Sequence, residues 1–127
     1  MSPLAGIILD ASGLRAARTS LFARTVLRNL TQRQRPIIVP STALVVAAGA
    51  GWVNPIELDR PAVTVTGLTQ AIAPAVAIII SEAYGKVSCD IAHVAYEAAA
   101  TGHLVLTADA SAYANLPVSV DVEEIPG

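Results

Sequence analysis

Apolar positions along the chain gather into short runs separated by longer mixed segments. "GIILD" (6–10) is a β-branched run that ends on an acid, and "PIIVP" (36–40), "AVTVTGL" (62–68) and "HLVLTAD" (103–109) are runs of similar length. Short runs rich in Ile and Val, bounded by Pro, Gly or polar residues, predict buried strands. "VSVDVEEI" (118–125) alternates instead, which predicts a last, more exposed strand toward a sheet edge.

Between these runs the spacing becomes helical. Leu14, Ala17, Leu21, Val26, Leu27 and Leu30 form an irregular stripe from which Arg15, Arg18, Arg24 and Arg28 largely stand apart. The segment 14–31 therefore predicts one amphipathic helix or two short ones, stopped by Pro36. Ser41 or Thr42 is placed to cap a helix through "ALVVAAG" that Gly49 or Gly51 ends. Thr69 is placed to cap an apolar helix to about Tyr84, with Pro74 in its early turns and Gly85 at its end. Ser88 opens a helix from about Asp90 to Thr101 that buries Ile91, Val94, Ala95 and Ala98, with Gly102 after it. Strands separated by helices predict a single α/β domain over 1–127. Its expected architecture is a three-layer α/β/α sandwich with a mainly parallel central sheet.

Composition changes the picture in two ways. With 54% hydrophobic and only 14% charged residues, against about 25% charged in an ordinary soluble protein, much of the surface must be apolar or small. A homodimer or another partner is expected. The net charge of −2 conceals a split: residues 1–35 carry +5 and residues 81–127 carry −6. A basic element thus lies beside an acidic remainder, without the overall excess of Lys and Arg that marks a general nucleic-acid binder. The uncharged windows 36–56 and 61–81 reach membrane-spanning length, but each is broken by Pro and Gly, so no span is expected. Cys89 has no second cysteine to pair with, and Asp10 interrupts the opening apolar segment, so a cytoplasmic protein with an inert, buried thiol is expected.

Candidate chemistry rests on the acids. Ligands of open parallel sheets bind beyond the carboxyl ends of strands, and Asp10 and Asp109 end two predicted strands while Asp90 opens the helix before the second. Three carboxylates converging in a half-buried cleft would raise one another's pKa, a repulsion that a hard divalent cation relieves. Mg²⁺ or Mn²⁺ suits such oxygen ligands. The competing reading is structural: an Asp at a strand end caps a turn, and Asp90 in a first helical turn meets the helix dipole favourably. His93 and Glu97, one turn apart, read as a structural hydrogen bond. Trp52, after two glycines, reads as a loop anchor or dimer contact.

"IILDAS" and "CDIAHVAYEAAATGHLVLTADASAY", with the order of strands between them, resemble the PIN domain of VapC-type toxin ribonucleases. The resemblance runs over nearly the whole chain. It implies Asp10, Asp90 and Asp109 as catalytic metal ligands, Ser12 and Thr107 as supporting polar groups, and Mg²⁺ or Mn²⁺ as the cofactor. In such nucleases the ions activate a water for attack on a phosphodiester. Single-stranded RNA would be the substrate and an antitoxin protein a partner. Arg15 and Arg18 could then contact RNA phosphates. The family usually also places a Glu on the helix after the second strand, where this chain has Val45 and Val46, and a further acid where it has Ser111. No acid occurs between Asp10 and Glu57. Glu57, Asp59 or Glu82 are the candidates for a substitute. The sequence thus leaves two expectations: a metal-dependent endoribonuclease of reduced activity, or a catalytically degenerate PIN-like module acting in dimerisation, partner binding or nucleic-acid binding. A receiver-like domain is disfavoured, because it wants adjacent acids at the first strand and a late Lys.

Overall fold

The computed structural model describes residues 6–58 and 62–126. In chain order its elements are β1 (Ile7–Leu9), α1 (Ala11–Thr19), α2 (Leu21–Gln32), β2 (Ile37–Pro40), α3 (Ser41–Gly49) and a 3₁₀ turn at Pro55–Leu58. There follow β3 (Val63–Thr66), α4 (Ala73–Glu82), α5 (Cys89–Thr101), β4 (Leu104–Thr107), a second 3₁₀ turn at Ala110–Tyr113 and β5 (Val122–Glu124). All described strand pairs are parallel, in the order β3-β2-β1-β4-β5. The fold is an α/β sandwich, and the five apolar runs of the sequence are its five described strands.

Alternation along the strands explains the two-sided core. Ile7, Leu9, Ile37 and Val39 pack with Leu14 and Ala23 of α1 and α2. Ile8, Ile38 and Val105 face the other way, against Val94 and Ala98 of α5. The central strands β1 and β2 are buried along their whole length, whereas β5 is largely exposed at its edge.

The basic segment divides into two helices at Ser20. Its N–H bonds the Ala16 carbonyl at 2.7 Å, closing α1, and its hydroxyl accepts from the Ala23 N–H at 3.2 Å, opening α2. Several expected caps are otherwise engaged. Ser41 accepts from the Leu68 N–H at 3.2 Å, and Thr42 lies 2.8 Å from His93 Nδ1, so both tie α3 to its neighbours instead of capping it. Thr69 starts a turn with its carbonyl, and α4 begins only at Ala73, with Pro74 in its first turn. Gly102 does end α5, in the left-handed conformation with φ 74°. Cys89 is exposed at the start of α5, correcting the expected buried thiol. Among the described residues no helix is long and apolar enough to cross a membrane.

His93 pairs with Glu97, as expected. Its buried Nε2 is 3.3 Å from Glu97 Oε1, a long and poorly aligned contact. Burial lowers the pKa of His93 more than Glu97 raises it, and burial lowers that of His103. The unfolded chain, titrating near the ordinary 6.5, then binds more protons than the folded one. This contribution to stability is fully present above that pH and is lost as pH falls through and below it. The melting temperature at pH 5 should lie below that at pH 7.5, and His93→Gln should narrow the gap.

Gly13 sets how closely α1 approaches β4. A Cβ there would stand 2.4 Å from the backbone oxygen of Leu106 and 3.2 Å from Leu9 Cδ2. Gly→Ala inside a helix ordinarily gains up to about 1 kcal/mol, but overpacking against a backbone atom costs about 1–3 kcal/mol. Gly13→Ala should therefore be net destabilising, by about 1 kcal/mol or more in denaturant unfolding.

Candidate functional site

Asp10 follows β1 directly, and its carboxylate is 2% exposed. Oδ1 accepts from the Gly13 N–H at 2.7 Å and the Ser12 hydroxyl at 2.8 Å. Oδ2 accepts from the Thr107 hydroxyl at 2.6 Å and the Tyr113 hydroxyl at 2.8 Å. A carboxylate offers about four lone-pair directions, and all four are met by the protein. Two of the donors are extended outward: Ser12 accepts from the Ala108 N–H at 2.9 Å, and Thr107 from the Asp109 N–H at 3.0 Å. The network ties the start of α1 to the end of β4 and the turn after it.

Parallel pairing of β1 with β4 makes this possible, since it sets Leu9 beside Leu106 and brings both strand ends to one edge of the sheet. Asp90 reaches the same edge from the first turn of α5, and Asp109 from just beyond β4. The three acids line one small cleft of about 190 Å³, whose other walls include Val46, Trp52, Ile91 and Ala112. Their states differ. Asp10 is buried and saturated. Asp109 is exposed and accepts from the Ser111 hydroxyl. Asp90 is half-buried and has no hydrogen-bond or ion-pair partner among the described residues.

The phenol of Tyr113 completes the site. Burial pushes its pKa far above the usual range, and the charge and hydrogen bond of Asp10 push it further, with smaller contributions from Asp90 and Asp109. Tyr113 is therefore a fixed donor to Asp10. Sequence reasoning missed it, although the buried aromatic of "ADASAY" stands one short turn past Asp109.

The other expected residues are distributed as follows. Ser12 and Thr107 are at the site, both donating to Asp10. Arg15 stacks over the Trp52 ring at 4.9 Å, and Arg18 donates to the Trp52 carbonyl at 3.3 Å, so both cations are directed at Trp52. Val46 is the residue of α3 that lines the cleft, 41% exposed, while Val45 is 70% exposed and outside it. Of the substitute acids, Glu57 lines a different cavity, Glu82 is exposed at the end of α4 and absent from the cleft lining, and Asp59 lies outside the described residues.

These donors do not fit a resident divalent cation. Direct coordination by Asp10 requires the loss of at least one of four short hydrogen bonds, and Val46, which also lines the cleft, brings no ligand atom. Among the described residues no group of three His, Cys, Asp or Glu side chains is disposed to hold a metal ion. What the cleft retains is an unpartnered carboxylate, a second exposed one and apolar walls, an arrangement able to attract and seat a cation with an apolar stem.

The sequence matches no model of a known protein family, and a search of curated proteins returns no match.

Tyr113→Phe removes one donor from Asp10 and keeps the ring, and a hydrogen bond to a charged group contributes about 1.5–3 kcal/mol. It should destabilise the chain by about 1–2 kcal/mol in urea unfolding, because Asp10 keeps its other donors. Asp10→Asn confronts at least two donors with an NH₂ group, and should cost about 3 kcal/mol or more.

Proposed function

We propose that the chain is a PIN-like module in which the acidic cleft serves binding, with hydrolytic metal chemistry lost or strongly reduced. The observation that carries this reading is the saturation of Asp10 by Ser12, Gly13, Thr107 and Tyr113. Val46 and Ser111, standing where the resemblance expects acids, support it, since both are at the site without bringing charge. The ligand class that the cleft suits is a Lys or Arg side chain presented by another protein chain. Its charge would meet Asp90 and Asp109, and its aliphatic stem would lie on Val46 and Ile91.

A second reading, a Mg²⁺- or Mn²⁺-dependent endoribonuclease acting on single-stranded RNA, is favoured by the gathering of Asp10, Asp90 and Asp109 on one cleft. It requires the cation to draw Asp10 away from Tyr113 or Ser12.

Titration calorimetry with Mn²⁺, followed by incubation of the same samples with single-stranded RNA, separates the two. The binding module gives no saturable Mn²⁺ heat at millimolar metal and leaves the RNA intact. Val46→Glu, which adds a carboxylate at the cleft wall, should then gain measurable Mn²⁺ affinity. A short Arg- and Leu-rich peptide should bind the wild type more tightly than an Asp90→Asn, Asp109→Asn double variant. Saturable Mn²⁺ binding by the wild type, with RNA cleavage that Asp90→Asn abolishes, would establish the ribonuclease instead.

A further inference from the structure

A second cavity, of about 790 Å³, shares no lining residue with the acidic cleft. It lies between α1, α2 and the face formed by β1, β2 and β3, with walls that include Leu9, Leu27, Ile37, Val53, Leu58 and Val63. Protein interiors rarely leave space larger than a few waters, and small-molecule sites are mostly apolar clefts of roughly 300–1,000 Å³ with a few polar groups. Both its size and its lining place this cavity in that class.

Its charges narrow the ligand. Arg18, Arg35 and Glu57 also line the cavity, a net charge of +1 among its described lining residues. Arg18 uses one donor on the Trp52 carbonyl. The half-buried side chain of Arg35 has no hydrogen-bond or ion-pair partner among the described residues. A guanidinium partly withdrawn from water without an anion is unfavourable, and its fork matches a carboxylate in two parallel hydrogen bonds.

We propose that this cavity binds a small amphipathic carboxylate, a fatty-acid-like molecule whose tail lies between α2 and the sheet and whose head pairs with Arg35. A single net positive charge suits a monoanion better than a dianionic phosphate. The apolar walls supply affinity by excluding water, and Arg35 supplies the preference for a charged head.

The test is calorimetric titration of the full chain with decanoate below its micellar concentration, beside acetate and decanol. The wild type should bind one decanoate per chain, about tenfold more tightly than decanol, and should not bind acetate. Arg35→Gln should weaken decanoate about tenfold and leave decanol unchanged. Leu27→Trp, which fills the cavity, should remove both, and Arg35→Gln decides the matter should that variant fail to fold. The proposal is overturned by an absence of saturable decanoate binding to the wild type, or by equal decanoate affinity in Arg35→Gln. It is equally overturned if the cavity serves a macromolecular surface, seen as Arg35-dependent pelleting with phosphatidylglycerol vesicles or a dimer that Leu27→Trp breaks, without uptake of monomeric decanoate.

Discussion

The buried carboxylate of Asp10 is the constraint around which this fold is arranged. A charge withdrawn from water is tolerable only when polar groups replace the hydration it has lost. Here the replacements are four donors from three places: the first turn of α1 supplies Ser12 and Gly13, the end of β4 supplies Thr107, and the turn beyond supplies Tyr113. Removing the anion would leave those donors unsatisfied in the interior. A ligand at Asp10 would compete for the lone pairs that Ser12, Gly13, Thr107 and Tyr113 occupy.

Around that point the molecule keeps its charges apart. No arginine lines the acidic cleft among the described residues, and the two of α1 are directed at Trp52, whose ring faces Arg15 and whose carbonyl accepts from Arg18. Asp90 and Asp109, which line the cleft, form no ion pair with the basic helices among the described residues. A cationic visitor would meet uncompensated acid there.

Much of the architecture was legible in the chain because burial on both faces of a parallel sheet leaves an unmistakable trace, short runs such as "IIL" and "IIVP" with no polar interruption. Helix starts were less legible. Ser41, Thr42 and Thr69 have the chemistry of caps, yet the hydroxyls of the first two are taken by Leu68 and His93, partners fixed only by tertiary approach. The site divides in the same way. That Asp10, Asp90 and Asp109 share an edge followed from strand direction alone. That Asp10 is closed while Asp90 is open did not, since it depends on a Tyr113 hydroxyl delivered by a 3₁₀ turn. Nor could sequence choose between Val45 and Val46, because one residue of helical phase decides which side chain faces the cleft.

Trp52 is the only tryptophan in the chain. It lines the acidic cleft, while its neighbour Val53 lines the larger cavity. The indole is therefore a natural optical reporter lodged at the boundary between two recesses. Its emission, sensitive to nearby charge and wetting, gives a label-free signal for events on either side of that partition.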